Sequence, residues 1–143
     1  MGFGCLLVWL AAACFGQGHE ALCPRHVEPP VYPQIARVAH VTGNVVLSVT
    51  IDADGHVTNA EATNQDKFVA LLKPGSIENI RHWTFAKPPF APYVETIIYE
   101  YKIDLSLPLD DRAGVIQKAS FDLPDRVTIV TNGGSVETER SRE

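Results

Sequence analysis

The sequence predicts an α+β fold in which a small three-stranded antiparallel sheet carries two helices on one face, with one extra C-terminal strand as an option. Apolar residues alternate with other residues in two segments, which is the period of a half-buried strand. Two further segments open with a proline and space their apolar residues as a short helix does. The 143 residues, of which 45% are hydrophobic, suit a single domain of this kind.

Each predicted helix has a start signal and an apolar face. The first begins at Pro33 and ends at Gly43, and the second runs from about Pro74 to Trp83. The residues expected to share a buried face are Ile35, Val38 and Ala39 in the first helix and Ile77, Ile80 and Trp83 in the second.

The three predicted strands are a hairpin and a later single strand. Residues 44–51 form the first strand, Gly55 closes the turn, and residues 57–63 return with a bulge after Val57. Residues 94–107 form the last strand. The predicted buried faces hold Val45, Leu47, Val49 and Ile51 in the first strand and Ile97, Tyr99, Tyr101, Ile103 and Leu105 in the last.

The N-terminal region has the pattern of an export signal. Residues 1–18 carry no charged side chain, and the apolar run at residues 5–15 is as long as a signal-peptide core and too short to span a bilayer. We therefore expect export with cleavage between positions 14 and 20. Cys14 ends a weak lipoprotein-type motif, so it is a candidate lipidation site. A lipid anchor at this residue is the one membrane attachment that we expect.

The remaining boundaries follow from composition. Residues 19–31 hold three prolines and are predicted to be an extended linker, and residues 32–107 form the folded domain. Residues 108–143 are an extension with one β-branched candidate strand at 126–131 and a disordered tail. If the other two cysteines leave with the leader, Cys23 has no intramolecular disulfide partner.

Charge and motifs exclude several functional classes. A net charge of -5 argues against an electrostatic grip on nucleic acid or anionic lipid. The histidines and Cys23 stand in no spacing that indicates a catalytic nucleophile and base, so we predict no enzyme and no cofactor. Asp52, Asp54 and His56 resemble part of a cation loop, but Thr63 occupies the position where an EF-hand has Glu. We interpret them as turn residues and predict no metal site.

Five short segments then occur together in one order. They are Tyr32-Pro33, Gly43-Asn44-Val45, IDADGHV at residues 51–57, IENIRHWTF at residues 77–85 and YEYKI at residues 99–103. In this order and spacing the chain resembles the TonB carboxy-terminal domain family over about residues 29–107. The resemblance implies a periplasmic module that catalyses nothing and binds a protein partner, an outer-membrane transporter or another envelope protein.

The resemblance also implies where the partner binds. In the family, a short peptide of the transporter joins the last strand of the sheet as an added strand, which is possible because an open edge exposes unpaired N–H and C=O groups. The expected contact residues are Thr96, Ile97, Ile98, Tyr99, Glu100, Tyr101 and Lys102 on the strand, with Pro30, Val31, Tyr32, Pro33 and Gln34 as a second surface before the first helix.

Two hypotheses follow, from different classes. In the first, the chain is an adaptor that adds a partner strand to residues 96–102. In the second, residues 126–131 fold back over that edge and leave a closed structural or self-associating module; a homodimer through the same edge is a third outcome. The predicted linker spans only about 40 Å when extended, which disfavours energy transduction across an envelope by this chain alone.

Overall fold

The computed structural model describes residues 22–107 and 117–133. Its elements in chain order are β1 (Pro24–His26), α1 (Gln34–Val38), β2 (Gly43–Ile51), β3 (Val57–Ala62), α2 (Lys73–Ile80), β4 (Thr84–Phe85), β5 (Tyr93–Ile103), β6 (Gln117–Asp122) and β7 (Arg126–Thr131). The predicted α+β class is confirmed. None of the helices within these two ranges has the length and apolarity that crossing a bilayer requires.

The main sheet has five strands in the order β3-β2-β5-β7-β6, so the predicted number of three is wrong. β2 pairs antiparallel with β3 and β5, and these are the three strands that the sequence predicts. β7 is the optional C-terminal strand, and it pairs with β5 in parallel. β6 pairs antiparallel with β7 and escapes prediction because Ala119 and Phe121 are its only apolar residues. β1 and β4 form a separate two-stranded sheet.

The β2–β3 hairpin agrees with its sequence pattern. Val45, Leu47, Val49 and Ile51 are all fully buried. The register shifts between the partners of Thr50 and Ile51, which places the predicted bulge beside Val57. Gly55 has a φ of 89°, and a side chain there would collide with the carbonyl group of Phe85. Only glycine therefore fits this turn.

The first helix differs from its prediction in length and in face. α1 ends at Val38 and does not continue to Gly43, because His40 adopts the left-handed conformation with a φ of 52°. Its buried residue is Ala36, whereas Ile35 is 64% exposed. A five-residue helix has little more than one turn, so apolar spacing does not define its buried face.

The last predicted strand also stops early. β5 ends at Ile103, and Leu105 lies in the following turn with 77% of its surface exposed, so its predicted place on the buried face is wrong. The side-chain oxygen of Asp104 accepts hydrogen bonds from the main-chain N–H of Ser106 at 2.9 Å and from its hydroxyl at 2.6 Å. This turn takes the chain out of the strand.

α2 packs on the face of β5 that carries two buried tyrosines. The hydroxyl of Tyr101 is 2.7 Å from the Ser76 hydroxyl, and the hydroxyl of Tyr99 donates to the Asn79 side-chain oxygen at 2.7 Å. Trp83 lies after the end of α2, not within it as predicted, and donates its indole N–H to the same oxygen at 3.1 Å. Burial raises the pKa of Tyr101 to about 12 and raises that of Tyr99 as well.

Part of the predicted linker belongs to the folded structure. Leu22 is buried in the core, and β1 pairs with β4. The Asn79 side chain donates to the main-chain carbonyl of Glu28 at 3.1 Å, and Nδ1 of His82 lies 3.0 Å from Oε2 of Glu28. The hydrogen bond with His82, followed by that with His26, lowers the pKa of the Glu28 carboxyl group. These contacts attach the N-terminal segment to α2 and to the residues that follow it.

The cysteine prediction applies to a chain without its leader. Cys23 is disulfide-bonded in the full chain, which differs from the expectation that it has no intramolecular partner. That expectation assumed that both other cysteines are removed with the leader. The predicted leader, including Cys14, lies outside the described residues and stays a prediction.

The first expected outcome concerns Trp83, which is fully buried between Phe85, Tyr99 and Phe121. Replacing Trp83 by Ala should lower the free energy of unfolding by roughly 3 to 5 kcal/mol, because a large cavity remains in a small core. Urea denaturation measures the change. Phe68→Ala is the matched control, since Phe68 is 83% exposed and its loss should change stability by less than about 0.5 kcal/mol. Equal effects of the two changes would contradict the packing described.

The second expected outcome concerns the stability of the fold at alkaline pH. Burial raises the pKa of Tyr32 and of Tyr101 from 10.0 to about 12. The folded chain therefore holds these phenolic protons more tightly than the unfolded chain, and stability should be complete below about pH 10 and decline as the pH rises toward about 12. Urea midpoints across this range, with phenolate absorbance, measure it. Tyr101→Phe should flatten part of the decline, and an unchanged slope would contradict the assignment.

Candidate protein-binding site

The predicted binding strand lies in the interior of the sheet. β2 pairs with β5 from Tyr93 to Tyr101, and β7 pairs with the opposite side of β5 from Ile98 to Ile103. Along residues 98–102 the predicted free edge is therefore already filled by a strand. This is the arrangement of the second hypothesis, and the first loses its open edge there.

The hydrogen bonds at the ends of this pairing define which groups face β7. The N–H of Ile98 donates to the carbonyl of Asp125 at 2.7 Å, and the N–H of Asp104 donates to the carbonyl of Thr131 at 2.9 Å. Because successive residues of a strand point their main-chain groups to opposite sides, Glu100 and Lys102 also face β7. These are the groups that an added strand would use.

The two faces of β5 have different roles. Ile97, Tyr99 and Tyr101 are buried, which confirms the predicted buried face of this strand, and the two tyrosines bond to α2. Thr96 and Lys102 are exposed on the opposite face. The side chains of β5 that solvent reaches therefore lie on its outer face.

The carboxylate of Glu100, on the outer face of the sheet, joins β5 to β7 through side-chain contacts. Oε1 of Glu100 lies 3.1 Å from the ammonium group of Lys102, and Oε2 lies 3.6 Å from the guanidinium group of Arg126. The Thr128 hydroxyl donates to Oε2 at 3.3 Å. The hydrogen bond from Lys102 is the main reason that the pKa of Glu100 lies below its usual range. β7 is thus held by side chains as well as by main-chain bonds.

The second predicted surface, residues 30–34, is half inside the molecule. Tyr32 is buried, with its ring edge against the Tyr101 ring at a centroid distance of 5.2 Å and an interplanar angle of 89°. Its hydroxyl donates to the carbonyl of Val41. Val31 is 74% exposed, and Gln34 is also exposed. The tyrosine anchors the segment while its neighbours remain accessible.

Gln117, the first residue of β6, contacts this second surface. Its side-chain oxygen accepts the N–H of Tyr32 at 2.8 Å, and its side-chain nitrogen donates to the carbonyl of Pro30 at 2.6 Å. The residues around it line an open cleft of about 530 Å³: Val31, Tyr32, Pro33, Gln34, Arg37 and Gln117. The sequence does not point to Gln117, because no local pattern marks a side chain that bonds residues more than eighty positions away.

The Asp52, Asp54 and His56 group has the geometry of a turn. Its ligand-type atoms all lie within 4.8 Å of one another. One oxygen of Asp52 accepts the main-chain N–H groups of Asp54 and His56, each at 2.9 Å. The bond from His56 is the main cause that lowers the pKa of Asp52. These bonds account for Asp52 as the residue that closes the hairpin.

Comparison with known proteins assigns the family. Residues 28–104 match the family of the Gram-negative bacterial TonB protein C-terminal domain. Among solved structures, the solution NMR structure of the Pseudomonas aeruginosa TonB C-terminal domain is similar at 19% sequence identity and a TM-score of 0.43, covering 59% of this chain and 88% of that chain. No curated protein sequence matches the chain. Since the family match spans more than half of the 143 residues, this chain belongs to the TonB C-terminal domain family.

Proposed function

We propose that this chain is a non-enzymatic, exported protein-binding module that serves outer-membrane transport and binds a partner by adding an extended segment of that partner to β5. Membership of the TonB C-terminal domain family supports the general role. One observation carries the mode of binding: the side of β5 opposite β2 accepts a parallel strand in continuous register from Ile98 to Ile103. The same backbone groups suit a strand from another protein.

The proposed contact residues fall into two sets. On β5 the main-chain groups of residues 98, 100 and 102 face β7, so a partner strand gains them only when β7 leaves. On the second surface, Val31 and Gln34 are exposed and reachable at once. We therefore propose that residues 30–34 make the first contact and residues 96–102 the later one. A periplasmic location, through export of the chain, completes the proposal.

A second candidate function is a closed structural or self-associating envelope module. The observation that favours it is the same pairing of β7 with β5, because it fills the edge on which the adaptor hypothesis depends. Self-association of the closed form would have to use the outer strands of the sheet, β3 or β6. The two candidates differ in whether the β5 edge is used in a complex.

Ile98→Pro tests the proposed mode of binding. The N–H of Ile98 points toward β7 and away from β2, so proline removes a bond of the binding edge and leaves the β2 pairing in place. In chains carrying a photo-crosslinker at Thr96, capture of an envelope partner should fall at least about tenfold, since added strands depend on such bonds.

Ile98→Val, which keeps the N–H, is the matched control and should capture the partner as the unchanged chain does. Circular dichroism of each variant shows whether it is folded. Undiminished capture by folded Ile98→Pro would exclude strand addition at this edge. Capture of nothing except a second copy of the chain, together with a dimer in sedimentation, would favour the self-associating module.

A further inference from the structure

The C-terminal hairpin, which consists of β6, β7 and the turn at residues 123–125, contacts both surfaces that the sequence predicts for a partner. β7 pairs with β5, and Gln117 of β6 bonds Pro30 and Tyr32. The hairpin lies outside residues 28–104, the part of the chain that matches the family. It is therefore an addition of this chain that occupies the two surfaces together.

On β5 the hairpin supplies the two kinds of interaction that an added strand would supply, main-chain pairing and buried apolar side chains. The two strands run parallel, and the pairing carries side chains into the core, since Val127 and Ile129 are both fully buried. Val127 lies opposite Tyr99 and Ile129 lies opposite Tyr101 in the register. The intervening residue, Thr128, points to the outer face and bonds Glu100. β7 therefore combines main-chain pairing with apolar side chains at every second position.

At the second surface, residues 30–34, the Gln117 side chain makes the hydrogen bonds that a neighbouring strand's backbone would make. In a parallel ladder, one residue donates to a carbonyl on the neighbouring strand and accepts the N–H two residues further along. The amide group of Gln117 makes this pair of bonds with the carbonyl of Pro30 and the N–H of Tyr32, on either side of Val31. The backbone of a bound peptide could therefore make the same two hydrogen bonds that the side-chain amide of Gln117 makes.

The surroundings of Gln117 leave room for such a replacement. The cleft of about 530 Å³ is open, and Val31 beside it is 74% exposed. Arg37 also lines the cleft and favours a carboxylate on the incoming segment. A peptide can therefore approach Gln117 through this cleft, and it reaches the main-chain groups of Pro30 and Tyr32, which are buried residues, when Gln117 leaves them.

We propose that the C-terminal hairpin is an internal occupant of the partner site, and that a partner binds by replacing it. This inference rests on the proposed function and specifies its partner and its regulation. The partner segment is extended, runs parallel to β5, and carries medium-sized apolar residues at the two alternate positions that Val127 and Ile129 fill. The chain is closed by its own hairpin until such a segment competes with it.

A peptide in trans tests the exchange directly. The probe is a fluorescent synthetic peptide with the sequence of residues 125–131, DRVTIVT, added to the full chain. Gln117→Ala removes both bonds to residues 30–32 and should raise the apparent affinity for the peptide by roughly tenfold, because the open form becomes more populated. Ser120→Ala, at an exposed position on the same strand, is the matched control and should leave the affinity unchanged.

A reversible disulfide lock between β5 and β7 tests whether a hairpin that cannot leave prevents binding. Lys102 and Val130 are register partners, with side chains on the outer face of the sheet, so Lys102→Cys with Val130→Cys places two thiols across adjacent strands. The oxidised chain should lose at least about nine-tenths of its peptide binding and of its partner capture from an envelope fraction, and reduction should restore both. Lys102→Ser with Val130→Ser, and the unchanged chain in the same reductant, are the controls.

Three outcomes distinguish a failure of the exchange from a failure of the proposed function. If the oxidised lock binds peptide and partner as well as its reduced form does, the hairpin does not occupy the site, and the inference is overturned while the proposed function stands. If Gln117→Ala lowers stability without raising peptide affinity, the contact is structural only, which also overturns it. If peptide binding follows the lock but no opened variant captures an envelope partner, the hairpin is exchangeable and the proposed function fails.

Discussion

The whole structure depends on β5 being paired on both sides. β2 binds one side antiparallel and β7 binds the other in parallel, so β5 holds together two parts of the chain that have no other shared strand. Its buried face receives α2 through Tyr99 and Tyr101, and the Tyr32 ring packs against Tyr101. Removing either partner strand would expose one side of this central strand, which is why the C-terminal hairpin belongs to the core although it lies outside the family match.

The core contains several polar groups, and their bonding fixes how its parts fit together. The side-chain oxygen of Asn79 accepts bonds from Tyr99 and Trp83, and the side-chain nitrogen binds the carbonyl of Glu28. A buried polar group that loses its partner costs free energy, so these bonds select one register of α2 against β5 and one path for the N-terminal segment. The aromatic residues supply the stabilising area, and Asn79 determines their arrangement.

Filling the β5 edge has two physical consequences for a binding module. An open strand edge is a template for pairing with any extended chain, so an internal strand protects the protein from aggregation. If a partner binds as proposed, the same strand competes with it, and the apparent affinity is the intrinsic affinity multiplied by the fraction of chains that are open. In that proposed mode, selectivity comes from the partner having to supply both the main-chain bonds and the apolar side chains that β7 provides.

The sequence by itself determined the local elements: the alternation in β2, the Gly55 turn, the span of β7 and the aromatic core residues Trp83 and Tyr99, since each depends on neighbours a few positions away. It did not determine the face of α1 or the existence of β6, where one helical turn and a polar strand leave too little periodic signal. Only the tertiary structure decided whether the predicted binding edge is open. The edge is filled by residues about 28 positions further along the chain, and Gln117 binds residues more than eighty positions earlier. Such pairings depend on how the folded chain brings distant segments together, which periodicity within a short window does not encode.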